Sequence, residues 1–213
     1  MALPEHSKII NKVARQILKP DGLERKGQSR TWLDDNGWFT TVVEFQPFKD
    51  RQGTCINIGV NFHWYVKDYW SFDIGYRESE FIDFRDGNRF TLEVEKLTET
   101  ALNKVLEYRQ SLKELKHSKK TILEHKFTSE NLWGSYHKGI ICGLIGDNKT
   151  SNFYFNRLLD LELNAPFEKE LEKIVIDLKE KSSDINLFKD TILGFIKESR
   201  RQKRLTDIEI EIK

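Results

Sequence analysis

The side chains with the most chemical potential in this 213-residue chain sit on alternate positions of two apolar segments. Residues 38–46 contribute Trp38, Glu44 and Gln46, and residues 55–64 contribute Asn57 and His63. Glu44 and His63 are the candidates for an acid/base pair, because a carboxylate and an imidazole can each exchange a proton near neutral pH when suitably placed. Such a pair would suit a small hydrolase-like or transferase-like enzyme. The amides of Gln46 and Asn57, the indole of Trp38 and the guanidinium of Arg77 suit recognition instead: amides impose polarity on a ligand and aromatics supply contact area. The plainer account is a wet sheet face whose amides satisfy nearby backbone groups.

Other chemistries find little support. There is no Gly-Lys-Ser/Thr phosphate loop, and Gly134, Gly139, Gly143 and Gly146 do not follow a strand with dinucleotide spacing. His117 and His125 are eight apart and lack an adjacent carboxylate cluster, whereas a zinc-binding helix places its ligands four apart. No metal and no cofactor is expected. Cys142 lies in the apolar run Ile140–Gly146 and reads as a small buried hydrophobe. The basic cluster Lys197, Arg200, Arg201, Lys203 and Arg204 could contact phosphates, with strong salt dependence. It has no interleaved aromatics, acidic neighbours at Glu198, Asp207, Glu209 and Glu211, and a helix C-terminus that favours cations anyway. Nucleic-acid association through Lys197–Arg204 is therefore a third reading, with a structural role for the cluster favoured over it.

Composition narrows the class. Lys and Arg number 35 against 34 Asp and Glu, so a surface built wholly for nucleic acid or anionic lipid is excluded. With 38% hydrophobic and 12% aromatic residues the chain can build a core, which excludes wholesale disorder. The longest apolar run falls far short of the roughly 20 residues that span a bilayer. The opening residues lack a basic stretch leading into an apolar one, and the two cysteines cannot frame a disulfide scaffold, so a cytoplasmic location is expected.

Periodicity supplies the elements that must carry these residues. Ile9, Val13 and Ile17, widened by Ile10 and Ala14, predict a helix over 4–18, closed by Lys19-Pro20-Asp21-Gly22. From about Ser29 the period becomes two: Thr31–Leu33, a turn at Asn36-Gly37, a strand over 38–46, a polar loop over 49–53, and a strand over 55–64. Trp70, Phe72 and Ile74 continue the alternation, and Phe90, Leu92 and Val94 predict a last strand after a turn at Asp86–Asn88. Helical spacing returns with a cap at Thr98 and a stripe from Leu102 to Leu115; Lys113–Lys126 reads as a solvated helix end and linker. Residues 129–145 favour a helix over a strand, stopped by Gly146-Asp147, and three more helices follow. Ile208, Ile210 and Ile212 suggest an edge strand or a tail.

The expected fold is α+β: an N-terminal helix, an antiparallel meander of four to six strands, and a helical C-terminal part packed on one sheet face. Residues 1–97 would form the helix and sheet, and 98–213 the helical part of the same domain or an extension of it. Parity decides the faces, because opposed residues of an antiparallel pair share a side. Phe39, Val43 and Phe45 with Ile56, Ile58, Val60 and Phe62 make one apolar face. Trp38, Thr40, Val42, Glu44 and Gln46 then join Cys55, Asn57, Gly59, Asn61 and His63 on the other.

The run Ile17-Leu-Lys-Pro-Asp-Gly-Leu-Glu-Arg-Lys-Gly27, an aromatic at Trp32, Val43-Glu-Phe-Gln46 and Ile56-Asn-Ile-Gly-Val60 together resemble the bacterial family known as domain of unknown function 4304. The quotable motifs lie within about residues 5 to 85, and Arg77 matches a recurring arginine of that family. Leu23 stands where an aromatic is common, and Pro47 directly follows the Gln, which predicts an edge or bulge there. The resemblance implies an α+β fold and a bacterial intracellular protein, and no activity. The leading expectation is a non-enzymatic binding or interaction module, with an unspecified protein or small-molecule partner. It would use Trp38, Glu44, Gln46, Asn57, His63 and Arg77 on the polar sheet face.

Overall fold

The structure, a computed structural model, describes residues 3–210 and Ile212. The fold is α+β, with two compact units. The first runs to Phe62 and resumes over Tyr69–Gln110; the second comprises His63–Asp68 and the chain from Ser111 onward.

In the first unit, α1 (Glu5–Leu18) buries Ile10, Val13, Ala14 and Leu18 at helical spacing. A 3-10 turn over Lys19–Asp21 ends at Gly22, whose φ of 87° completes the reversal. Six strands follow: β1 (Glu24–Arg25), β2 (Thr31–Asp35), β3 (Phe39–Phe48), β4 (Arg51–Phe62), β5 (Ile74–Arg77) and β6 (Ile82–Asp83). β1 to β5 form an antiparallel meander in chain order, and β6 pairs with the start of β4.

The β3–β4 register is the expected one: Phe39 opposes Phe62, Val43 opposes Ile58 and Phe45 opposes Ile56. Val43, Phe45, Ile56, Ile58, Val60 and Phe62 are all fully buried, each burial worth roughly 1.5–3 kcal/mol before entropic costs. The register shifts between Gln46 and Phe48, where Pro47 lacks the N–H a continuous ladder requires.

Four expectations are corrected. β4 begins at Arg51, so the polar loop shrinks to a tight connection after Phe48. Of Trp70, Phe72 and Ile74 only Ile74 lies in a strand. Phe90, Leu92 and Val94 are helical: α2 (Gly87–Ser111) starts where the Asp86 carboxylate accepts the Arg89 N–H at 2.9 Å. Its buried stripe is Phe90, Val94, Thr98, Ala101, Val105 and Tyr108, so Phe90 and Val94 face inward four apart while Leu92 is exposed. Thr98 is no cap; its hydroxyl donates to the Val94 carbonyl at 2.7 Å.

In the second unit, Lys113–Lys126 is mostly the helix α3 (Leu115–Glu124), with Leu115, Ser118 and Ile122 buried. A π-helical turn over Glu130–Gly134 leads into α4 (Ser135–Leu144), every residue of which is buried. Gly146, at φ 79°, ends it, and Asp147 caps α5 (Asn148–Leu159) by accepting the Thr150 N–H. α6 (Pro166–Lys181) and α7 (Ile185–Gln202) follow, the latter capped by Asp184. The segment 63–68 is tied into this unit: Trp64 Nε1 donates to His137 Nδ1 at 2.8 Å, and the Tyr136 hydroxyl donates to the Trp64 carbonyl at 2.7 Å. Residues 205–210 and Ile212 form no strand. No helix among the described residues is long and apolar enough to cross a membrane.

Candidate functional site

The polar candidates converge on the middle of the sheet. Glu44 on β3 opposes Asn57 on β4, and Asn57 opposes Arg77 on β5, so three neighbouring strands present one row on a single face. Gln46 lies two residues beyond Glu44 on the same side. Asn57 Nδ2 donates to Glu44 Oε2 at 2.9 Å and to Gln46 Oε1 at 3.1 Å, and Arg77 Nη2 donates to the same Gln46 oxygen at 2.9 Å. Glu44, Gln46 and Asn57 are half-buried, and Arg77 is exposed. Beneath Gln46 the buried Cys55 thiol points Sγ at Oε1 over 3.6 Å. Burial pushes that thiol's pKa up, against the pull of the Arg77 charge.

Aromatic rings continue the row. The Arg77 guanidinium lies 5.6 Å from the Phe48 ring centre, Phe48 stacks on Phe81 with centres 4.6 Å apart and planes 5° from parallel, and Arg51 sits 4.2 Å from Phe81. Arg51 also grips Asp83 through two bonds of 2.9 and 2.6 Å. The interleaving of two arginines with two rings orders long side chains that would otherwise roam. Sequence periodicity missed Phe48, Arg51 and Phe81, because a bulge and a loop bring them together. Beside them, Phe81, Ile82, Asp83, Arg85, Asp86, Arg89, Phe90 and Glu93 line an open cleft of about 210 Å³.

The rest of the expected polar face is closed. The segment after Tyr69 roofs it: Asn61 Nδ2 donates to Ser71 Oγ at 3.0 Å, and the Asp73 carboxylate accepts the Phe62 N–H at 2.7 Å. Phe72 lies so near Gly59 that a Cβ there would fall 2.2 Å from its Cδ1. Trp38 precedes β3 and is buried, stacked on Phe62 at 5.8 Å and edge-on to Phe39 at 4.7 Å.

His63 follows the last residue of β4 and is fully buried in the second unit, its Nδ1 3.5 Å from Ser199 Oγ. Desolvation, then the charges of Lys203, Arg200 and Lys67, hold its pKa well below the usual imidazole value. The structure does not bring Glu44 and His63 together: Glu44 bonds to Asn57, and His63 meets Ser199 of α7. The basic cluster is largely engaged as well. Arg200 is buried and donates to the Thr206 carbonyl, Arg201 pairs with Glu198, and Lys203 donates to the Lys67 carbonyl. Among the described residues, no three His, Cys, Asp or Glu side chains gather as metal ligands. No family model, curated protein or solved structure matches this chain.

Proposed function

We propose that this chain is a non-enzymatic binding module of the domain-of-unknown-function family it resembles, taking a polar partner on the row Glu44, Asn57, Gln46 and Arg77. The observation that carries this reading is the orientation of the two amides. Gln46 Oε1 accepts from both Asn57 and Arg77, which leaves Gln46 Nε2 as a donor with no partner among the described residues. Asn57 gives its amino group to two acceptors, which leaves its Oδ1 as an acceptor. A donor and an acceptor are thus held side by side in a half-open site, with Arg77 at its rim and the Phe48–Phe81 pair as apolar ground. Side chains fixed before binding lose less entropy when a partner docks.

The test compares wild type with Arg77→Ala and Asn57→Ala, using the partner recovered from the native host. Both variants are expected to keep the wild-type circular dichroism and to lose roughly tenfold or more in affinity for it, a change of about 1.4 kcal/mol. Unchanged affinity in both variants would place the binding surface elsewhere. Collapse of the fold in Asn57→Ala would assign the amide to architecture.

A further inference from the structure

We propose that the turn Asn36-Gly37 modifies itself: the Asn36 amide passes through a cyclic imide to aspartate or isoaspartate, with Asp35 as the base. The turn joins β2 to β3 and is held by two backbone bonds. Asn36 N–H donates to the Phe39 carbonyl at 2.9 Å, and Trp38 N–H donates to the Asn36 carbonyl at 3.1 Å. The second bond spans only Gly37, whose φ of 82° is the conformation such a three-residue turn requires. Gly37 has no Cβ to shield its nitrogen, so no side chain stands between that nitrogen and the Asn36 amide carbon, the two atoms that close a five-membered imide. Gly37 N–H donates to Asp35 Oδ1 at 3.1 Å, which sets a carboxylate on the proton the attacking nitrogen must lose. Asn36 Nδ2 donates to Asp34 Oδ2 at 2.7 Å and to the Asp34 carbonyl at 3.0 Å, so the amide is fixed rather than swinging in solvent. Asp35 is exposed and Asn36 half-buried, so water reaches the turn.

In the reaction the Gly37 nitrogen bonds to Asn36 Cγ and the Cγ–Nδ2 bond breaks. The Gly37 proton passes by way of Asp35 to the departing amino group, which leaves as ammonia. Water then opens the imide at either of its carbonyls, so one water is consumed and one ammonia released. The product changes more than the turn. Its new carboxylate stands where Asn36 Nδ2 donated to Asp34, so a hydrogen bond becomes a contact between like charges, beside a side chain only 5% exposed. Asp34 is also the carboxylate that Arg109 of α2 grips, with Nη2 2.5 Å from Oδ1. Conversion of Asn36 therefore weakens the tie of α2 to β2, and it does so irreversibly.

The experiment incubates the full chain in heavy-oxygen water at neutral pH, both folded and unfolded in urea, and maps its peptides by mass spectrometry. Residue 36 of the folded chain is expected to take up heavy oxygen and to yield aspartate and isoaspartate faster than in urea. Asp35→Asn, which keeps an acceptor for Gly37 but no base, is expected to slow conversion at residue 36 at least tenfold. Asn36→Asp, which carries the charge of the product, is expected to melt roughly 2–4 °C below wild type. An amide that persists in the folded wild type, or that converts there no faster than in urea, overturns the proposal. So does an unchanged rate in a folded Asp35→Asn. An Asn36→Asp variant that melts with wild type removes the link to Arg109.

Discussion

Arg109 on α2 forks onto the carboxylate of Asp34 on β2, with Nη2 2.5 Å from Oδ1 and Nε 3.0 Å from Oδ2. The Asp34 side chain is 5% exposed, and its other partner is Asn36 Nδ2 at 2.7 Å. Arg109 Nη2 also donates to the Asp21 carbonyl, so one guanidinium ties the long helix to a strand and to the turn after α1. Arg109→Met strands a buried carboxylate, and a loss of about 3 kcal/mol in urea unfolding is expected. Arg109→Met with Asp34→Asn, which leaves no orphan charge, is expected to recover much of it. A loss below about 1 kcal/mol in the single variant would mean that the pair behaves as a solvated one.

His63 makes the second unit acid-sensitive. Its folded pKa lies well below the unfolded value of 6.5, so below pH 6.5 the unfolded chain binds a proton that the folded chain refuses. Stability is therefore full above that pH and falls as pH drops, by at most about 1.4 kcal/mol per pH unit for one proton. His63→Gln is expected to flatten the slope of unfolding free energy between pH 6.5 and 5 by that one-proton share. The lowered pKa values of His6 and His125 leave a residual slope of the same sign. An unaltered slope in a folded variant would show that His63 does not titrate on unfolding.

Two glycines in α4 set how closely its neighbours approach. A Cβ at Gly139 would lie 2.4 Å from Phe155 Cε1, and one at Gly143 would lie 2.5 Å from Phe188 Cζ. Alanine improves helix propensity by about 1 kcal/mol, but overpacking a filled core costs about 1–3 kcal/mol. Gly143→Ala is expected to lower the melting temperature, and adding Phe188→Leu to restore part of the loss. A higher melting temperature in Gly143→Ala alone would show that the rings yield without cost.

Both thiols are expected to be inert in the native state. Cys55 and Cys142 are fully buried, and burial raises the Cys142 pKa to about 11, so little thiolate exists at neutral pH. Ellman's reagent should label neither within minutes, and both once denaturant is added. Rapid native labelling of one thiol would reveal local opening around it.

The paired strands were readable because alternation there is uninterrupted. Val43, Phe45, Ile56 and Ile58 need one burial side, and that alone places Glu44 opposite Asn57. The same rule fails where the strand stops: β4 ends at Phe62, so parity carried one residue too far puts His63 on the wrong surface, and Trp38 precedes the pairing altogether. Phe90, Leu92 and Val94 satisfy both periods over so short a span. Only the continuation through Ala101, Val105 and Tyr108 distinguishes a helix. Gly139 and Gly143 are poor helix formers, and their place within α4 is explained by the close approach of Phe155 and Phe188, which no local pattern announces. Arg30 stands 23 residues beyond Ser7 and shares no motif with it, so only folding makes them neighbours.

Because the stretch 63–68 belongs with the later helices, the gene offers no single cut that yields two whole pieces. A polypeptide starting at Ser111 would lack the indole that bonds His137 and the carbonyl that receives the Tyr136 hydroxyl. During synthesis those six residues emerge with the strands and must wait for helices not yet made, so the helical half matures last and depends on a sequence the ribosome has long since released.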